Sequence, residues 1–179
     1  KREQAPPYPF DLTTLQTESY AHFKITPKET LEIAQSLYLA GVTSYPRTSS
    51  QQLDPKLGFV KIMNDLSKQP DYEGFCKALL KEKELKPNNG KKTDPAHPAL
   101  HPTGAMPKKL GEKQNKIYDL IVRRILSSLS DPAKRETQTV ELSIKEEPFI
   151  TKGTRTIEPG WHKFYGRFNP NKEDELPKL

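Results

Sequence analysis

The sequence predicts an α+β chain, mainly helical, with antiparallel β-strands at its flanks. Three observations carry this. Thr26, Pro27 and Glu29 open a stretch whose apolar residues recur at helical spacing and which Gly41 can end. Gly111 to Ser130 holds a longer pattern of the same kind, with Ile117, Leu120, Ile121, Ile125, Leu126 and Leu129 on one face. From Thr137 the period becomes two, Val140, Leu142 and Ile144 alternating with Thr139, Glu141 and Ser143 as in a half-buried strand.

Taken in order, residues 1–9 are polar and proline-rich and read as a linker. Phe10 to Gln16 reads as a short strand or turn, and Thr17 to Phe23 as a weak helix. In the next helix Thr26 and Glu29 have the spacing of a capping box, and Leu31, Ala34, Leu37 and Tyr38 share a face. After Gly41, Val42 to Ser44 favour extended backbone, and Pro46 biases Tyr45 the same way. Asp54 and Pro55 start a helix predicted to reach Ser67, and another is expected over Asp71 to Glu84. Lys86 to Thr93 reads as a mobile basic loop. On the long helix, Arg123 and Arg124 are expected in solvent. A second β-run covers Phe149 to Ile157, Glu158 to Gly160 form a turn, Trp161 is a core anchor, and Asn169 to Leu179 form a polar tail.

Hydrophobic residues make up 33% and charged residues 29% of the 179 positions, which implies a modest core under a large polar surface. The net charge of +6 suits an acidic polymer as partner. A single cysteine, Cys76, excludes an internal disulfide and a four-cysteine zinc site, so a reducing, cytoplasmic setting is expected. No apolar run reaches the roughly 18 residues of a spanning helix, so no membrane partner is expected. The opening Lys1-Arg2-Glu3-Gln4, without a methionine, is expected of an excised fragment.

Two stretches carry chemistry. In the first, Tyr45 follows a rigid helix and precedes Pro46, Arg47, Thr48, Ser49 and Ser50. An ordinary phenol, with a pKa of about 10, is ionised in only about one molecule in a thousand near neutrality, so a nucleophilic tyrosine needs a charged neighbour. Arg47 lies on the same side as Tyr45 if the segment is extended, and its planar fork suits phosphate or phenolate. The hydroxyls of Thr48, Ser49 and Ser50 are donors for a sugar-phosphate backbone. The plainer reading is a surface turn whose tyrosine only packs. In the second stretch, Asp94 to Gly104, His97 and His101 stand four apart. Pro98 and Pro102 oppose the helix that would align them on a metal, and no cysteine completes a ligand set, so no metal site is expected. Imidazoles held on rigid backbone could instead donate to phosphate and transfer protons.

Tyr-x-x-Gly-x-x-Ser-Tyr-Pro-Arg-Thr, from Tyr38 to Thr48, resembles the active-site signature of type IA DNA topoisomerases, the archaeal branch above all. His97 to Gly104 is similar to the same family's His-x-Ala-Ile-x-Pro-Thr, and Pro9 to Gln16 to its passage between gate and tyrosine domains. The resemblance implies Tyr45 as nucleophile, Arg47 beside it, His97 as active-site histidine, and Thr103 with Thr48 and Ser49 near the DNA. His101 replaces an arginine of many bacterial relatives and receives no role. The implied organisation is a linker and gate strand over 1–16, a helical tyrosine domain over 17–132, and a β-rich gate segment with tail over 133–179. The implied partners are single-stranded DNA and the remaining domains of the same enzyme. The family's magnesium-binding carboxylates are expected in a domain outside this chain, since no Asp-x-Asp-x-Glu cluster occurs here, so the chain alone is expected to bind no Mg2+ and to be inactive. The competing class is a non-enzymatic single-stranded nucleic-acid-binding module, with Tyr45 stacking on a base.

Overall fold

Asp11 starts the helical part of the chain: its Oδ1 accepts the Thr14 backbone N–H at 2.7 Å, and α1 runs Leu12–Phe23. The computed structural model describes residues 1–81 and 84–177. The strand or turn expected over Phe10 to Gln16 is therefore mostly helix, because the Asp11 cap satisfies the first turn. The helix α2 (Pro27–Leu39) begins at Thr26 as expected, but only half of a capping box forms. Thr26 Oγ1 accepts the Glu29 N–H, whereas the Glu29 carboxylate pairs with Lys113 on a later helix.

At its other end, Gly41 N–H donates to Tyr38 O and Val42 N–H to Leu37 O, the paired bonds of a Schellman motif, with Gly41 at φ +76°. The predicted Pro55–Ser67 helix is divided. A 3-10 turn covers Pro55–Leu57, Gly58 takes φ +72°, and α3 spans Phe59–Leu66. The helix α4 (Pro70–Leu79) stops short of the expected Glu84; residues 82 and 83 of that stretch, like 178 and 179 of the tail, lie outside the described residues.

The long helix α5 (Glu112–Ser128) is the axis on which α1, α2, α4 and the short α6 (His162–Tyr165) pack. Its six expected core residues are buried. Arg124 corrects the expectation of solvated arginines, being only 7% exposed. Its guanidinium donates to Tyr8 O and Glu18 at 2.6 Å and to the Tyr165 hydroxyl at 2.7 Å, and stacks 4.2 Å from the Phe10 ring. Burial pushes the Tyr165 phenol up, so it stays protonated and donates to Glu18. Arg123 is also held, by Asp119 and Phe164 O.

Three antiparallel strands complete the fold in the order β1 (Arg2–Gln4), β2 (Ala133–Ile144), β3 (Glu147–Glu158). The start of the presumed linker is thus a strand, paired Arg2 to Arg135 and Gln4 to Ala133. Trp161 anchors this corner, 4% exposed, donating Nε1–H to Gln4 O. The strand expected from Thr137 forms as part of β2, but it is not half-buried: Leu142, Ile144, Phe149 and Ile150 are exposed, because β1 flanks only the base of the hairpin and no described element covers its tip. The mobile loop expected at Lys86 to Thr93 is pinned. Asn88 N–H donates to Ser128 O, the Asn89 amide exchanges two hydrogen bonds with the Leu53 backbone, and Lys92 pairs with buried Asp11. Among the described residues no helix is long and apolar enough to cross a membrane.

Replacing Arg124 with alanine would leave Glu18 without its cation and Tyr8 O without its donor. The expected loss is about 3 kcal/mol, measured by urea denaturation, against less than about 0.5 kcal/mol for the exposed Lys61→Ala.

Candidate active site

The end of α2 fixes where Tyr45 begins. Val42, buried after the Schellman turn, accepts Thr103 N–H at 3.1 Å through its carbonyl. Thr43 bridges Pro102, Ser44 N–H donates to His101 O at 2.8 Å, and Ser44 Oγ accepts His101 N–H at 3.0 Å. The two motif segments are thereby zipped antiparallel, although more than fifty residues separate them. Further ties follow along the same strip: Leu100 N–H to Phe10 O, Ala99 N–H to Gln52 O, and Leu12 N–H to Thr48 O.

On this frame the Tyr45 ring stands half-buried between two others, its centroid 4.8 Å from that of His97 and 5.3 Å from that of Tyr38, edge-on. Tyr38 therefore leaves the core face on which periodicity had put it; it is 40% exposed and supports Tyr45 instead. Such aromatic contacts contribute about 0.5–1.5 kcal/mol each and restrict the ring's orientation. Tyr45 and His97 share no hydrogen bond, so the imidazole lies beside the phenol and both can reach a common third group.

Arg47 differs in detail from its expected extended setting. Thr48 N–H donates to Pro46 O at 3.0 Å, closing a three-residue turn on Arg47. Burial still alternates: Pro46, Thr48 and Ser50 face in, Arg47 and Ser49 face out. No acceptor among the described residues takes a hydrogen bond from the Arg47 guanidinium, which leaves its fork open to an anion.

The hydroxyls are already engaged. Thr48, 4% exposed, donates to His97 O at 3.3 Å and accepts Ser50 N–H at 3.0 Å, an internal tie between the two motifs. Ser50 is likewise buried and bonded to the Gln52 backbone. Exposed Ser49 donates to Thr93 O or Asp94, and exposed Thr103 donates to Gly41 O at 2.7 Å. His101 is buried, its Nδ1 2.9 Å from Ala99 O, and desolvation lowers its pKa and favours the neutral ring.

Asp94 is the residue that sequence reading missed. Its Oδ1 accepts the N–H groups of Ala96 and His97, and its Oδ2 accepts the N–H and hydroxyl of Ser49. These bonds, chiefly those from the backbone of Ala96, Ser49 and His97, hold its carboxyl down at about 2. The signal was present: an aspartate whose side chain can cap the backbone two and three residues on, directly before the histidine. Among the described residues no three His, Cys, Asp or Glu side chains converge as a metal site, and Asp94, with four donors on it, is not placed to serve one.

A family model described as DNA topoisomerase matches residues 1–179. The chain belongs to the type IA DNA topoisomerases. It is 45% identical to DNA topoisomerase 1 of Pyrococcus horikoshii, over all of this chain and 26% of that protein. It is 48% identical to DNA topoisomerase 1 of Methanocaldococcus jannaschii, over all of this chain and 23% of that one, and 32% identical to DNA topoisomerase 3 of Schizosaccharomyces pombe, over 96% and 28%. The chain thus spans about a quarter of the length of these curated relatives. Full-length topoisomerase I from Thermotoga maritima superposes with a TM-score of 0.64 at 26% identity, covering 97% of this chain and 30% of that structure.

The folded pKa of Asp94 lies below its ordinary value of 3.8, so its ties stabilise the site fully above about pH 4 and are lost as pH falls through about 2. The amide resonances of Ser49, Ala96 and His97 should shift together with a midpoint near 2 by NMR, and Asp94→Ala should abolish that shared transition.

Proposed function

We propose that this chain supplies the strand-cutting tyrosine of a type IA topoisomerase, acting on single-stranded DNA in the cytoplasm together with the remaining domains of its enzyme. The observation that supports this most is the meeting of the two signature segments through backbone hydrogen bonds, with the His97 ring against Tyr45 and Arg47 exposed two residues on.

In this reading Tyr45 Oη attacks a backbone phosphorus. The new Tyr45–phosphorus bond replaces the bond from phosphorus to the 3′ oxygen, leaving a 5′-phosphotyrosine. The phenol gives up its proton, and the departing 3′ oxygen gains one. The reverse attack by the 3′-hydroxyl reseals the strand, and ATP is not required because the phosphotyrosine conserves the bond. Arg47 holds the phosphate and offsets charge as it builds on the non-bridging oxygens. His97 donates to the phosphate or moves a proton near neutrality. Ser49 and Thr103 exchange their present backbone partners for sugar-phosphate contacts, while Thr48 acts from inside by holding His97 O. Magnesium would be held by carboxylates of the remaining domains of the enzyme.

In the whole enzyme, Tyr45→Phe should abolish relaxation of supercoiled DNA while single-strand affinity stays within about threefold. His97→Ala should slow cleavage by about 10²–10⁴. The 179-residue chain alone should relax nothing, yet bind single strands weakly and in a salt-sensitive way. Relaxation that survives Tyr45→Phe would refute the assignment and favour a binding module.

A further inference from the structure

We propose that a cavity at the root of the β2–β3 hairpin binds a phosphate group between Arg2 and Arg135. The site is separate from Tyr45 and stands or falls independently of it. Arg2 and Arg135 are directly paired across β1 and β2, so both side chains leave the same face of the sheet. Like charges in that relation repel. The opposite face is matched instead: Lys134 pairs with Glu158 at 2.9 Å and Arg155 with Glu136 at 3.0 Å. On the arginine face lies a cavity of about 350 Å³, whose wall Gln4, Thr137, Thr154 and Asn171 complete. Among the described residues no carboxylate lines it.

The surroundings of Arg135 leave its charge poorly met. The side chain is only 16% exposed. Nη1 donates to Asn171 Oδ1 at 3.1 Å and Nη2 to Lys172 O, both neutral acceptors, while Nε is buried with no acceptor among the described residues. Glu173 stands 3.9 Å from Nη2, and both its oxygens already accept from Thr156. A guanidinium taken out of water needs a counter-ion, and the cavity beside it has room for one. The wall selects the kind of anion. Thr137 and Thr154 hydroxyls lie 3.1 Å apart and spend only one proton on each other, so one O–H remains to donate. Donors spread over three strands suit a tetrahedral phosphate more than a planar carboxylate, and the two arginines repel a cation.

A free phosphate ion and a phosphodiester of a nucleic-acid strand offer the same chemistry. Backbone amide NMR on the 179-residue chain, at matched ionic strength in chloride, separates them. The probes are inorganic phosphate and an oligothymidine without terminal phosphates. Saturable shifts at Arg135, Thr137, Thr154 and Asn171 are expected, weakened about tenfold or more in Arg2→Gln. If the oligothymidine gives the same shifts and competes with phosphate, a strand phosphodiester is the occupant; shifts with phosphate alone assign a free phosphate group. Melting gives a second readout. In chloride Arg2→Gln, relieved of the opposed charge, should melt no lower than wild type, and phosphate should raise the wild-type midpoint but not that of the variant. Arg135→Gln also loses its bonds to the tail, so Arg2→Gln is the deciding variant. No saturable shift with either probe, or shifts and a melting gain that persist unchanged in Arg2→Gln, overturns the site.

Discussion

Antiparallel pairing between residues 42–44 and 101–103 is the constraint on which the candidate site depends. Each such hydrogen bond contributes about 0.5–1.5 kcal/mol net, so their value lies less in stability than in geometry. They set the register of two irregular loops that neither helix nor sheet would otherwise hold. Prolines on both sides reinforce this: Pro46, Pro98 and Pro102 lack backbone donors and restrict their neighbours, so the loops lose little further freedom when they meet. A phenol and an imidazole on such backbone are preorganised for a shared substrate atom.

The pairing rests in turn on the helical body. The Schellman turn at Gly41 aims the chain from α2 into the pairing, and Phe10, fully buried under the Arg124 guanidinium, accepts Leu100 N–H from the second loop. Arg124 thus links the entry of the chain, α1, α5 and α6 around one buried charge. Removing that charge leaves Glu18 without its cation and Tyr8 O without its donor, beside the Phe10 that pairs with Leu100.

Much of this was legible because its causes are local. Caps at Thr26, Asp54 and Gly41 act within a few residues, and the α5 core face follows from spacing alone. What was misread depends on partners distant in sequence. Arg124 looks like a solvated cation until Glu18 and Tyr165 fold over it, and the basic loop looks mobile until Asn88 and Asn89 find Ser128 and Leu53. The strand at Arg2–Gln4 exists only because Ala133–Arg135 lies beside it. At the site, the motifs named Tyr45, Arg47 and His97, yet motif spelling could not distinguish hydroxyls that face outward from Thr48, which faces in. Asp94 escaped because its function is to organise backbone, a role with no reactive signature.

If Tyr45 is the nucleophile, Tyr45 itself becomes bonded to the cut strand. The most direct measurement is mass spectrometry of peptides from the whole enzyme, denatured while cleaving a single-stranded oligonucleotide. One adduct is expected, on the peptide containing Ser44-Tyr45-Pro46, with the mass of the downstream strand attached through its 5′ phosphate. An adduct on another tyrosine, or attachment through a 3′ phosphate, would contradict it.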